Sequence, residues 1–213
     1  ADAVIWVKQV AKPEAFGVVE LNSENTIINL VEKPTDFVSD LAVIGIYYFK
    51  QIEFLKKALE EVVKKRLQPG EEYQINQGIL AMMQSGKIFK TGTVKAWMDC
   101  GNLEVTLKTN SAMLAFKEAE GENLLDSTAI IDNSTIIPPC FIGKNVHIKN
   151  STIGPGVSIG ESTKIINSHL KNALIQNHSH IENIQCDKAM IGNHVRYNGN
   201  PTFVSLGDYS ELH

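Results

Sequence analysis

No run of apolar residues in this chain approaches the roughly 18–20 that a helical membrane span needs. Lys and Arg never cluster, and the formal net charge is −4, so there is no electrostatic footprint for nucleic acid or an anionic membrane surface. Cysteine is scarce. Cys100, Cys140 and Cys186 are odd in number and far apart, which excludes a disulfide framework, and the ligand spacings of a zinc site are missing. No basic stretch followed by an apolar one stands near the start, so a cytoplasmic protein with reduced thiols is expected. An initiator Met is missing as well. The chain opens at Ala1-Asp2-Ala3-Val4-Ile5-Trp6-Val7 and enters a strand-like run at once, which reads as a start in mid-domain, a fragment or a processed form.

What is present suits one large domain or two small ones, since 43% of the 213 residues are hydrophobic and can build a sizeable core. Residues 1–120 mix two periodicities. Val4–Val10 is β-rich and is broken by Lys12-Pro13; Phe16–Leu21 and Thr26–Val31 flank Asn22-Ser23-Glu24-Asn25, a hairpin turn. Leu41–Phe49 is apolar nearly throughout, which predicts a central strand covered on both faces. Ile52, Leu55, Leu59 and Val62 recur at helical spacing, a second helix is predicted over Ile75–Gln84, and a third after Asn102, a plausible N-cap. Strands and helices mixed in this way give an α/β layer.

From about residue 121 to 213 the helical patterns vanish and a short repeat takes over. Aliphatic residues recur at Ile131, Ile137, Ile142, Ile148, Ile153, Ile159, Ile165, Leu170, Ile175, Ile181 and Ile191, in steps of five or six residues with Cys186 filling one slot. A small or β-branched residue sits two positions before each: Ala129, Thr135, Cys140, Val146, Ser151, Val157, Thr163, Ser168, Ala173, Ser179 and Ala189. Three such steps close one triangular coil, with the aliphatic side chain inward and Asn or Gly at bends that need a left-handed backbone. This hexapeptide-type repeat predicts a left-handed parallel β-helix. Asn133-Ser134-Thr135 and Asn150-Ser151-Thr152 match a glycosylation sequon but fit such bends better.

Within the first 120 residues, Phe16-Gly17-Val18-Val19, Glu32-Lys33-Pro34, Ala42-Val43-Ile44-Gly45-Ile46-Tyr47 and Ala96-Trp97-Met98-Asp99-Cys100-Gly101 stand in that order. Followed by the repeats, the ordered set resembles the sugar-phosphate nucleotidyltransferases, the family of glucose-1-phosphate thymidylyltransferase, and the resemblance covers nearly the whole chain. It implies a partial Rossmann-like catalytic domain over 1–120 and a β-helix over 121–213. It also implies the chemistry: an oxygen of a sugar 1-phosphate attacks the α-phosphorus of a nucleoside triphosphate and displaces pyrophosphate. The protein's task in such a reaction is positioning and neutralisation of phosphate charge.

The resemblance assigns roles to particular residues. Glu32 would accept from sugar hydroxyls, Lys33 would hold the sugar phosphate as a point cation, and Gly17 would let the backbone approach the sugar. Val43 and Tyr47 match positions lining the sugar pocket, Trp97 would pack beside Asp99, and Asp99 matches the aspartate that binds Mg²⁺, a hard cation preferring oxygen ligands. Lys33 and Asp99 are thus the candidate catalytic residues. The chain departs from the pattern in two ways. The family's glycine-rich loop with its Arg and Lys is absent from these residues, together with the acidic segment giving the other metal ligand. After Glu72-Tyr73-Gln74-Ile75, where the family often has Thr-Asp, stand Asn76-Gln77.

Two other functions remain open at this level. Left-handed β-helices often transfer acyl groups with a His general base, and His147, His169, His178, His180 and His194 all lie in the repeats. A purely structural oligomerisation module is the other. The expected partners are a sugar 1-phosphate, a nucleoside triphosphate and further copies of the chain through the coil, with no nucleic acid and no membrane.

Overall fold

Residues 1–65, 72–199 and 204–212 are described by the computed structural model. They fall into two units, Ala1–Trp97 and Met98–His213.

In the first unit, strict alternation gives β1 (Ala3–Gln9), whose Ala3, Ile5 and Val7 are buried. β2 (Gly17–Leu21) and β3 (Ile27–Glu32) form the expected hairpin. Asn22 Oδ1 accepts from the amides of Glu24 and Thr26, and Asn25 takes the positive φ of +55° that closes the turn. β4 (Leu41–Phe49), α1 (Ile52–Val63), α2 (Ile75–Gln84) and β5 (Phe89–Thr93) follow. The sheet order is β3-β2-β4-β1-β5, with only the β1–β5 pair parallel. Leu55 of α1 with Ile79 and Met82 of α2 pack on Ala3, Ile5, Val7 and Phe89 to make the core.

β4 lies inside the sheet, as its apolar run predicts, but it is not covered on both faces. Val43, Tyr47 and Phe49 pack against the core, whereas Ile46 and Tyr48 are more than half exposed. The strand is also irregular. Ile5 pairs with Tyr47 and Val7 with Val43, so Ile44, Gly45 and Ile46 stand opposite Trp6 alone, and Gly45 takes up the surplus at φ +77°.

The second unit begins with α3 (Leu103–Ala119), capped by Asn102, whose Oδ1 accepts from the Val105 amide at 3.1 Å. The sequence reading placed this helix with residues 1–120. Its packing is with the coil: Asn110 Nδ2 donates to the Gly156 carbonyl, Ser158 Oγ donates to Asn110 Oδ1, and Leu107 and Leu114 are buried.

The remainder of this unit is a left-handed parallel β-helix. One stack of parallel strands runs through Ile130–Asp132, His147–Lys149, Lys164–Ile166, His180–Glu182, Arg196–Asn198 and Glu211–Leu212. The predicted stride is the ladder register, for Ile142, Ile159, Ile175 and Ile191 are successive partners, each nearly or wholly buried. The expected inward position of Ile137 is wrong by one residue. Ile153 pairs with Ile136, which packs against the core, and Ile137 is exposed. A one-residue slip exchanges the two faces of a strand, so Ser134 rather than Thr135 takes the small-residue place. Ser134 Oγ accepts the Ser151 amide, and Ser151 Oγ the Ser168 amide. Ile184, which the aliphatic count passed over, is also core.

The bends carry ladders. Asn133, Asn150, Asn167 and Asn183 all have positive φ, and each donates its side-chain amide to the next asparagine up the coil, ending on Asn198 Oδ1. At another bend His178, His194 and Tyr209, also at positive φ, stack with ring centroids 5.0 and 4.8 Å apart. Residues 200–203 of the expected coil lie outside the described residues. Among the described residues no helix is long and apolar enough to cross a membrane.

Candidate functional site

The hairpin and α2 build the site in the first unit. Gly17 and Glu32 are cross-strand partners on β2 and β3. Asn76, in the first turn of α2, reaches across and donates Nδ2 to Glu32 Oε2 at 2.7 Å. A Cβ on residue 17 would stand 2.7 Å from Glu32 Oε2 and 3.1 Å from Asn76 Nδ2, so glycine is what lets carboxylate and amide lie against the backbone. Asn76 is only 7% exposed, and its Oδ1 is buried with no hydrogen-bond partner among the described residues. An unpaired buried acceptor costs about 1–3 kcal/mol.

Around that cradle stand the other candidates. Lys33 ends β3 with its backbone at φ +43°, its amide donating to the Phe16 carbonyl at 3.0 Å and its side chain exposed. Tyr47 is half-buried. Burial, and secondarily the negative charge of Glu32, hold its phenol above the usual tyrosine range, so it stays protonated and can donate. Val43 is half-buried four residues earlier on β4. Trp97 meets Phe16, the residue before Gly17, edge to face at 5.1 Å, and Lys8 Nζ donates to the Lys95 carbonyl just upstream. The fold therefore gathers Gly17, Glu32 and Tyr47, with Lys33 adjacent in the chain and Trp97 anchored through Phe16.

Asp99 belongs to the second unit. Its Oδ1 accepts from the amides of Cys100 (2.8 Å) and Gly101 (3.1 Å), and its carbonyl accepts from Thr109 Oγ1 of α3 at 2.6 Å. The string is a turn that leads into the capping Asn102, and Oδ2 is not engaged by those amides. A single carboxylate oxygen fits a cation that takes one or two protein carboxylates and completes its shell with phosphates and water. Among the described residues no group of three or more His, Cys, Asp or Glu could hold a metal on its own.

The sequence reading missed Asn76. The available signal was its departure from the family's usual residue at that place. The cysteines are all free, and burial raises the thiols of Cys140 and Cys186, which keeps them protonated and inert. Of the coil histidines, His178 and His194 belong to the stacked bend, while His180 Nε2 lies 2.7 Å from Glu182 Oε1.

Comparison with known proteins adds a family and relatives. Residues 1–115 match a family described as nucleotidyl transferase. A glucose-1-phosphate thymidylyltransferase of Streptomyces griseus is 26% identical, over 98% of this chain and 63% of its own length. A glucose-1-phosphate adenylyltransferase of Clostridium perfringens is 33% identical over 70% of this chain and 38% of its own. The bifunctional protein GlmU of Methanocaldococcus jannaschii is 30% identical, over 62% and 31% respectively. The chain thus spans less than two-thirds of the length of each of these relatives. The match to the family ends inside α3, the helix that packs on the coil.

Proposed function

The chain belongs to the nucleotidyl transferase family, and from that premise we propose that it serves the transfer of a nucleotidyl group from a nucleoside triphosphate to a sugar 1-phosphate. The products are a nucleoside diphosphate sugar and pyrophosphate. The observation that carries the reading is the Glu32 carboxylate, tied by Asn76 over Gly17, with the Tyr47 phenol nearby and Lys33 next in the chain.

In this reading Glu32 accepts from a sugar hydroxyl, and the Tyr47 phenol donates to an oxygen of the same ring. Lys33 holds the phosphate, whose oxygen forms the new bond to the α-phosphorus as the bond to the departing pyrophosphate breaks. Val43 and Trp97 wall the sugar. Mg²⁺, when bound, supplies neutralisation of the phosphate charge, and Asp99 is the residue to hold it. These 213 residues contain no glycine-rich loop with Arg and Lys to hold a triphosphate, so they supply the sugar-phosphate side of the cleft. Without donors on the triphosphate, loss of positioning costs on the order of 100-fold and loss of charge stabilisation roughly another 100-fold.

Pyrophosphate release tests this, with glucose 1-phosphate and Mg²⁺ held constant and each nucleoside triphosphate supplied in turn. The full natural protein should turn over and the 213 residues alone should stay near background. Comparable turnover from both would place the triphosphate donors within these residues; none from either, with any nucleotide, would sink the transferase reading. For the alternative of acyl transfer, an acetyl-CoA titration decides, and binding is not expected.

A further inference from the structure

We propose that Asn76 is a positioning residue that fixes the Glu32 carboxylate and, through it, selects which sugar hydroxyl is recognised. This rests on the sugar-phosphate reading of Glu32 given above. A glutamate at a strand end has several rotamers, and an untethered carboxylate would offer both oxygens over a range of directions. Here Oε2 accepts from Asn76 Nδ2 at 2.7 Å, which restrains the carboxylate and so the directions in which its remaining lone pairs are offered to a ligand. Preorganising an acceptor in this way turns a general affinity for hydroxyls into a preference for one of them.

The amide is held in place for its donor. Turned the other way, Asn76 would set its own oxygen against a carboxylate oxygen, two acceptors with no proton between them. In the observed orientation Oδ1 is the atom left buried without a partner. An apolar side chain of similar shape would fill the position without that penalty, so the retained asparagine points to the bond it makes with Glu32. The partners are 44 residues apart and on different elements, so the bond is not a local helix-capping contact. Gly17 completes the device, because any Cβ there would drive the carboxylate from its place.

The test is calorimetric titration of the 213-residue chain with glucose 1-phosphate and each of its monodeoxy analogues, using the parent, E32A, N76A, N76T and the E32A/N76A double variant. The parent should lose about 10-fold in affinity for the one analogue lacking the hydroxyl that Glu32 accepts, the effect of removing a hydrogen bond to an ionised carboxylate. E32A should erase that discrimination. N76A should blunt it for the same analogue, N76T should restore part of it through its hydroxyl donor, and N76A should add less than about 2-fold in the E32A background. Additive losses spread equally over all analogues would mean that Asn76 only packs, and an unchanged N76A would remove it from the site; either overturns the inference alone. Parent affinity in E32A, or no binding by the parent, would overturn the sugar-site reading and this inference with it. Should N76A fail to fold, the side-chain amide resonances of Asn76 decide: they must shift with glucose 1-phosphate in the parent and not in E32A.

Discussion

Lys33 holds the least comfortable backbone in the candidate site, at φ +43° in the left-handed region that a branched or long side chain enters at a cost of roughly 1 kcal/mol. The nearby hairpin turn uses Asn25 at a similar φ, where asparagine is at ease, whereas a lysine gains nothing there from its backbone, and the proposed contact with the sugar phosphate would account for it. Replacing it with glycine separates the two effects. Lys33→Gly should raise stability by up to about 1 kcal/mol in urea unfolding while weakening glucose 1-phosphate binding roughly 10-fold. A loss of stability with unchanged affinity would contradict the role. The sequence reading reached Gly17, Glu32, Lys33 and Tyr47 because short ordered strings carry them. Asn76 shows in the sequence only as a departure from the family pattern, because its partner is fixed only when α2 docks beside β3.

Elements were legible to the degree that their signals are local. α2 spans Ile75–Gln84 and α3 begins behind Asn102, as apolar spacing and the capping residue predict. Two features escaped. The surplus residues of β4 at Gly45 depend on register with β1, which one strand's sequence does not display. In the first coil the doublet Ile136-Ile137 satisfies a five-to-six-residue step with either member, and only the pairing of Ile136 with Ile153 decides it. The register makes a sharp prediction. Ile159 is fully buried, so Ile159→Asp strands an unpaired charge in the coil and should cost several kcal/mol, enough to lose the cooperative melt by circular dichroism. Ile137→Asp, at an exposed position, should melt within a few degrees of the parent. Equal effects from the two would show that the inward set is misplaced.

For the whole molecule, the coil leaves strand edges at its ends, and Ile130 in its first strand and Leu212 in its last are exposed. Such edges and apolar ends favour pairing with another copy. Sedimentation velocity at micromolar concentration should therefore show a species larger than the 23.5 kDa chain, and a monomer would count against association through the coil. The two units are read as having different work, a sugar-phosphate cradle in Ala1–Trp97 and, beyond the proposed metal-binding Asp99, a scaffold in Met98–His213. The most direct test of that division is a heteronuclear NMR titration of the labelled chain with glucose 1-phosphate. The amides of Gly17, Glu32 and Lys33 and the Asn76 side chain should move together and saturate with a single affinity, while the coil strands stay still. Shifts confined to the coil, or none in the hairpin at saturating ligand, would contradict the account.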